Sequence, residues 1–322
     1  MDNYIFKLSE KVTRTSVLYK NRYGITLSGD LYRAKDFDGD RKHPAVLIGA
    51  PYGGVKEQGP GVWANELAQR GFVALTFDPS YNGYSGGKQR HISSPDLFVE
   101  DFHAGIDFLG TRPFVDREGI GAVGICGSGG FAVSAASVDP RIKAVVTASF
   151  FDMSRVTQKG FGGGLTDEEW YAMITPLAEQ RYVDFEETHQ ALGPKANILQ
   201  VSDAQDPLGK EFAEFYNTQR GYHPNSIAHF TATSTLSFAN FPLLTNIKRI
   251  SPRPLLMIAG ENAASRMLTD EAFELAAQPK EKVIVPDCNH VDLYDDITKI
   301  PFDKITAFFN EYLSRTGRCP RE

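Results

Sequence analysis

Residues 121–130 read GAVGICGSGG, and this stretch carries the strongest local structural signal in the chain. It begins as a short apolar run and ends in a cluster of very small residues, after which residues 131–137 are Ala-rich, as in a helix. A buried strand, a sharp turn and a helix are the setting of a nucleophile elbow, where tiny flanking residues let two backbones approach closely. The pattern G-x-C-x-S-G therefore predicts an elbow with Cys126 as the nucleophile.

Other interpretations of this stretch stay open. Ser128 is a rival nucleophile, although that register would move the turn two residues into the expected helix. A Gly-rich turn around a buried structural cysteine is also compatible with the sequence, because free cysteine is commonly buried. A Rossmann phosphate loop is disfavoured, since the spacing G-x-G-x-x-G does not match here.

The composition is that of an ordinary globular enzyme. The chain has 322 residues, of which 42% are hydrophobic and 23% charged, with a formal net charge of −6. An acidic balance argues against a nucleic-acid binder, and no apolar run approaches the roughly 18 residues of a membrane span. The N-terminus shows no signal-peptide core, and three cysteines without C-x-x-C spacing suit a reducing compartment. We therefore expect a cytoplasmic protein with no nucleic-acid or membrane partner.

Strand and helix patterns alternate on both sides of the elbow, which predicts a doubly wound, mainly parallel α/β sheet. The alternation stops over residues 154–252, where the pattern is mostly helical, including predicted helices at 166–181 and 207–219. We predict a core of residues 1–153 and 253–322 that carries residues 154–252 as a lid insertion. Such an insertion would cover the edge of the sheet at which open α/β sheets bind ligands.

A cysteine nucleophile requires a base, and the base requires a group that orients it. Of the histidines that follow Cys126, three fall in the predicted insertion. His290 lies in a loop directly after the predicted last strand, so we expect it to be the general base. The acid is open between Asp152, just past the strand that follows the elbow helix, and Glu261, after the penultimate strand. Asp152 is placed slightly ahead, and a Cys–His couple tolerates a weak third member.

The remaining site residues follow from the expected geometry. The oxyanion hole should use the backbone N–H of Gly127 and one from the loop after the third strand, near Tyr52 or Gly53. Aromatic residues in the loops and the insertion are candidates for the substrate pocket, although core packing is the simpler role for any single one. These candidates are Tyr81, Tyr84, Phe151 and Trp170.

Five segments together resemble the α/β-hydrolase superfamily, nearest to its dienelactone-hydrolase-like members and the lidded group that includes fungal polyketide transferases. They lie at residues 53–58, 124–130, 151–155, 251–254 and 289–295. The resemblance implies an α/β-hydrolase fold, a nucleophile–His pair, and ester or thioester hydrolysis or acyl transfer. The chain departs from the pattern at Ala263, which stands where the acid is common.

We therefore expect an α/β-hydrolase that cleaves an ester or thioester of a small-molecule acyl substrate, or transfers the acyl group, through an acyl-Cys126 intermediate. Thioester chemistry suits cysteine because acyl exchange between two sulfurs is nearly isoenergetic. No cofactor and no metal are expected, and a homodimer is a candidate assembly. Two alternatives remain: a ligand-binding protein on an inactive hydrolase scaffold, motivated by Ala263, and a lactone or dienelactone hydrolase.

Overall fold

The computed structural model describes residues 3–194, 206–227 and 229–314. Its strands are β1 (Val12–Lys20), β2 (Thr26–Ala34), β3 (His43–Gly49), β4 (Val73–Phe77), β5 (Val115–Ile125), β6 (Ala144–Ala148), β7 (Leu255–Gly260) and β8 (Lys280–Val285). They form one sheet in the order β1-β2-β4-β3-β5-β6-β7-β8. β2 pairs antiparallel with β1 and β4, and every other pair is parallel. The predicted α/β-hydrolase sheet is confirmed.

The helices are α1 (Gly59–Gln69), α2 (Pro95–Gly110), α3 (Ser128–Val138), α4 (Met153–Lys159), α5 (Asp167–Glu187), α6 (Pro207–Tyr216), α7 (Ser234–Asn240), α8 (Arg266–Leu275), α9 (Asp292–Asp295) and α10 (Phe302–Leu313). α2 packs against α3, whereas α1 packs against α9 and α10. No helix within the described ranges combines the length and apolarity needed to cross a bilayer.

The core lies in the central strands. β4, β6 and β7 are buried at every residue, because helices cover both faces of a parallel sheet. This is why these strands read as continuous apolar runs in the sequence. α10 buries one face, and its buried residues recur at helical spacing. They are Phe302, Ile305, Phe308, Phe309 and Leu313.

Several element boundaries differ from the predictions. α5 starts as predicted with a capping box between Thr166 and Glu169, but ends at Glu187 rather than near residue 181. The helix predicted at 207–219 begins at Pro207 as expected but ends earlier, at Tyr216. α9 was not predicted, since four residues are too few for a periodic pattern.

The segment between β6 and β7 carries α4 to α7 and a 3₁₀ turn at Ile247–Ile250, so it is mostly helical. It is tied to the loop after β3 by two hydrogen bonds. The Gln58 side chain donates to the Gly221 carbonyl at 2.5 Å, and the Ser226 hydroxyl donates to the Gly53 carbonyl at 2.9 Å. Its role as a lid, and its limits at 154 and 252, stay predictions.

Candidate active site

A strained turn joins β5 to α3. β5 ends at Ile125 and α3 begins at Ser128, and between them Cys126 has a φ of 55°, which is uncommon for a residue with a side chain. The Cys126 N–H donates to the Ala148 carbonyl at 2.9 Å. At Gly124 an added Cβ would lie 2.3 Å from the Ser128 carbonyl oxygen, so this position requires glycine. The geometry is that of a nucleophile elbow with Cys126 at its apex.

Ser128 lies in a different position. It is the first residue of α3, it is buried, and its hydroxyl donates to the Ala50 carbonyl. That hydrogen bond points the hydroxyl toward the end of β3 and uses its only proton. The rival register, with Ser128 at the turn, does not match the backbone observed.

Cys126 faces a cavity of about 100 Å³ at the carboxyl edge of the sheet. Its other lining side chains are aromatic or apolar, and none of them carries a charge. They lie in segments that follow three strands, β3, β6 and β8, and they are Tyr52, Phe151, Met153, Phe212, Tyr216 and Tyr294. Across the described residues no group of three or more His, Cys, Asp or Glu side chains is arranged to hold a metal ion.

Two backbone N–H groups converge on the Cys126 sulfur, those of Gly127 and Tyr52. The elbow and the loop after β3 approach closely, because a Cβ added to Gly127 would lie 2.7 Å from the Tyr52 Cβ. Gly53, the other expected donor, is not among the groups that bond the sulfur, and its carbonyl accepts the Ser226 hydroxyl. The pair Gly127 and Tyr52 can therefore stabilise an oxyanion formed on a group attached to the sulfur.

The thiol of Cys126 is protonated in the resting protein. Burial raises its pKa, and hydrogen bonds from Tyr294, Gly127 and Tyr52 oppose that effect without cancelling it. The thiolate is the nucleophilic form of cysteine, so a base must remove the proton as the reaction begins.

His290 is fully buried in the loop between β8 and α9. The backbone holds it in place: its N–H donates to Glu211 Oε2 of α6 at 2.8 Å, and its carbonyl accepts the Ser149 hydroxyl at 2.6 Å. Ring atom Nε2 lies 2.9 Å from the Tyr294 hydroxyl, and Nδ1 contacts the Ser265 hydroxyl. Burial lowers the pKa of the imidazole to about 3, so the ring is uncharged near neutral pH.

The structure joins neither predicted acid to this imidazole. Asp152 accepts the Arg155 N–H at 2.9 Å and caps α4, because the first N–H groups of a helix need acceptors. Glu261 is exposed and accepts the Asp287 N–H at 3.3 Å. Ser265, two residues beyond Ala263, takes the orienting position instead.

The predicted pocket residues are placed as follows. Phe151 lines the cavity, with its ring centroid 6.1 Å from that of His290. Tyr81 packs against Gly87 within its own loop, and Tyr84 is 57% exposed beside Lys56. Trp170 is half-buried in α5 and is not among the lining residues.

Sequence reasoning missed the residues that complete the site. Met153, Phe212 and Tyr216 come from α4 and α6, where the sequence offers no sign of which face turns inward. Tyr294 lies in α9, whose four residues are too few to give a periodic pattern in the sequence.

Residues 31–158 match the dienelactone hydrolase family. An uncharacterized protein of Pseudomonas aeruginosa is 50% identical over 311 residues, which cover 96% of this chain and 83% of that protein. A crystal structure of that protein superposes with a TM-score of 0.93 at 48% identity, covering 97% of this chain and 98% of the other.

Two fungal relatives carry functional names. A thiohydrolase of Eupenicillium brefeldianum is 31% identical over 321 residues, covering 97% of this chain and 98% of the relative. A polyketide transferase of Penicillium crustosum is 35% identical over 282 residues, covering 84% of this chain and 88% of the relative.

Proposed function

Because this chain belongs to the dienelactone-hydrolase-like group of α/β-hydrolases, we propose that it hydrolyses or transfers a short, uncharged acyl group through an acyl-Cys126 intermediate. Membership itself gives the class, a hydrolase or acyltransferase. The cysteine step is supported above all by the position of Cys126, which faces the cavity from the apex of the elbow beside the N–H groups of Gly127 and Tyr52. A relative named thiohydrolase favours a thioester as donor.

In the acylation step, the Cys126 sulfur loses its proton to His290 and attacks the acyl carbonyl carbon. A carbon–sulfur bond forms, and the carbonyl oxygen, now negative, accepts the N–H groups of Gly127 and Tyr52. The intermediate then collapses, and the leaving thiolate or alkoxide takes the proton that His290 had accepted.

In the second step, water or an acceptor alcohol or amine attacks the acyl-Cys126. His290 takes the proton of the attacking group, and the departing sulfur regains a proton to restore the thiol. Hydrolysis requires water in this apolar cavity, whereas transfer requires the acceptor there. The water content of the cavity therefore decides between hydrolysis and transfer. Closure of the insertion over a bound acceptor would favour transfer over hydrolysis.

The size of the cavity limits the acyl group. Its volume of about 100 Å³ is small beside the roughly 300–1,000 Å³ of typical ligand pockets. That space fits an acyl group of a few heavy atoms. Since none of the described residues that line the cavity is charged, a carboxylate or amine on the acyl chain would find no partner among them.

One comparison tests this function. We would measure turnover of acetyl and butyryl thioesters, the matching oxygen esters and a small lactone, each with and without an alcohol acceptor. The proposal predicts that thioesters give the largest kcat/KM. A preference for the lactone would indicate dienelactone-type hydrolysis instead, and binding of every compound without turnover would contradict the acyl-enzyme mechanism.

Phe212 should set the acyl chain length. It lines the cavity from α6 and is half-buried, so Phe212→Ala deepens the space beside Cys126. We expect kcat/KM for octanoyl relative to acetyl thioester to rise by about 10- to 200-fold, since methylene-sized discrimination in apolar pockets has this range. Phe273→Ala, which truncates a half-buried phenylalanine of α8 outside the cavity, is the control. An unaltered chain-length preference in Phe212→Ala would mean that the acyl group lies elsewhere.

Ser265→Asp should shift the pH dependence of turnover. A carboxylate on Nδ1 stabilises the charged imidazole and raises the pKa of His290 from its value of about 3. Because the neutral ring is the active base, a raised pKa means that activity begins to fall at a higher pH when the solution is acidified. We expect the acid limb of kcat/KM to move up by about one to three pH units, while Ser265→Asn, which adds no charge, leaves the limb in place. An identical acid limb in wild type and Ser265→Asp would exclude Ser265 as the orienting residue.

A further inference from the structure

Tyr294 lies between the nucleophile and the base. Its hydroxyl is 2.9 Å from His290 Nε2 on one side and hydrogen-bonds the Cys126 thiol on the other. Tyr294 and Cys126 both line the cavity, whereas His290 lies behind them with no exposed surface. In the described part of the chain, the imidazole therefore meets the cavity through a phenol rather than directly.

We propose that Tyr294 is a catalytic residue that carries the proton between the Cys126 sulfur and His290 Nε2. The inference rests on the proposed acyl-Cys126 chemistry but concerns a separate step. The sulfur releases its proton to the Tyr294 oxygen as that oxygen releases its own proton to Nε2. One S–H bond and one O–H bond break, one O–H bond and one N–H bond form, and the products are a thiolate, a neutral phenol and an imidazolium.

The hydrogen bonds of the site can all run in one direction. Nε2 accepts a proton only if Nδ1 carries one, and Nδ1 has the Ser265 hydroxyl as its acceptor. Tyr294 can then donate to Nε2 while its oxygen accepts the Cys126 S–H, and once the protons have moved the hydroxyl donates to the thiolate instead. No hydrogen bond in this series has to reverse its direction before the proton moves.

Packing holds the phenol in place. The Tyr294 ring meets the ring of Phe215 edge-on at 5.2 Å, and it has no exposed surface. The backbone of α9 is fixed from α1, because the Trp63 indole donates to the Leu293 carbonyl at 3.0 Å and Gly59 packs against the Tyr294 backbone. The phenol therefore stays between sulfur and imidazole rather than swinging aside to let them meet.

The phenol is suited to pass a proton without keeping a charge. Burial raises the pKa of Tyr294 well above its ordinary value, so a phenolate does not accumulate. The two transfers must then be concerted, and a solvent isotope effect should report two protons in flight.

The test uses the Tyr294→Phe variant, which removes the hydroxyl and keeps the ring. The rate of Cys126 alkylation by iodoacetamide, located by peptide mapping, measures thiol deprotonation without an acyl substrate. We expect that rate at neutral pH to fall by about 10²- to 10⁴-fold, with a similar fall in thioester kcat/KM, as for loss of a proton-transfer group. Tyr32→Phe, which removes a buried hydroxyl without a hydrogen-bond partner in β2, should leave both rates unchanged.

A second pair of variants separates a relay from a packing role. His290→Gln should slow alkylation to the same extent as Tyr294→Phe, and the double variant should be no slower than either, because the two groups act in one path. Additive losses, or an alkylation rate in Tyr294→Phe that equals or exceeds the wild-type rate, would overturn the relay. If wild-type Cys126 is alkylated as predicted but no acyl donor is turned over, the acyl chemistry fails and the relay stands.

Discussion

Cys126→Ala should lose at least about 10³-fold in kcat/KM on every acyl donor that the wild-type enzyme turns over, since removal of a covalent nucleophile has costs of this size. The sulfur lies at the apex of the elbow, faces the cavity and is next to the oxyanion donors. Among the described residues that line this cavity, the tyrosine hydroxyls are the only other groups that could act as nucleophiles. Steady-state kinetics on acetyl and butyryl thioesters give the measurement.

Ser128→Ala is the matched control for Cys126→Ala. Ser128 is the first residue of α3, and its hydroxyl donates to the Ala50 carbonyl. Because one neutral hydrogen bond contributes modestly, loss of this hydroxyl should leave kcat within about tenfold of the wild-type value. The opposite pattern, an active Cys126→Ala and an inactive Ser128→Ala, would show that the serine register is the working one.

Gly127→Ala should lower kcat by about 10²- to 10³-fold, the range for loss of oxyanion donors. The new methyl group would lie 2.7 Å from the Tyr52 Cβ, so the elbow and the loop after β3 must separate. Both backbone donors move away from the sulfur when they do. Stopped-flow or steady-state kcat on a short thioester is the measurement, with the melting temperature recorded for each variant.

Gly110→Ala provides the comparison for Gly127→Ala. At Gly110, the last residue of α2, an added Cβ would meet its nearest neighbour at an ordinary 3.7 Å. This variant should keep wild-type kcat. Wild-type kcat in a folded Gly127→Ala would show that the N–H groups of Gly127 and Tyr52 do not stabilise the reaction.

The fold was predictable because its strongest signals are local. Central strands such as β6 and β7 are buried on both faces, so they appear as unbroken apolar runs that need no knowledge of their neighbours. The small residues around Cys126 were equally readable, since a close backbone approach tolerates nothing larger. Helix ends were less readable, as α5 shows, because the pattern predicted an end near residue 181 and the helix continues to Glu187.

The site was predictable only in part, because its remaining contacts join distant positions. Nothing local in the sequence distinguishes a carboxylate that caps a helix, as Asp152 does, from one that reaches an imidazole. The pairing of Ser265 with His290 depends on how the loops after β7 and β8 meet. Phe212 enters the cavity only because α6 returns to the edge of the sheet.

The replacement of a carboxylate by Ser265 gives the site a consistent chemistry. A neutral orienting hydroxyl leaves the imidazole a weak base. A weak base suits this reaction, because the imidazole holds the proton only briefly after taking it from the thiol and before giving it to the leaving group. A thiol needs less help than an alcohol, since its sulfur is the better nucleophile and the more acidic group. The combination of Cys126 with a charge-free base is therefore self-consistent.

An acyl-Cys126 intermediate would be seen in an intact-mass spectrum recorded after exposure to acetyl or butyryl thioester, with the adduct mapped by peptide. The acyl-Cys126 mechanism predicts one acyl group on Cys126 that forms and decays quickly in the wild-type enzyme. In His290→Gln, which lacks the base for both steps, the adduct should form far more slowly and persist once formed. Turnover with no adduct on Cys126, or an adduct on Ser128, would contradict it.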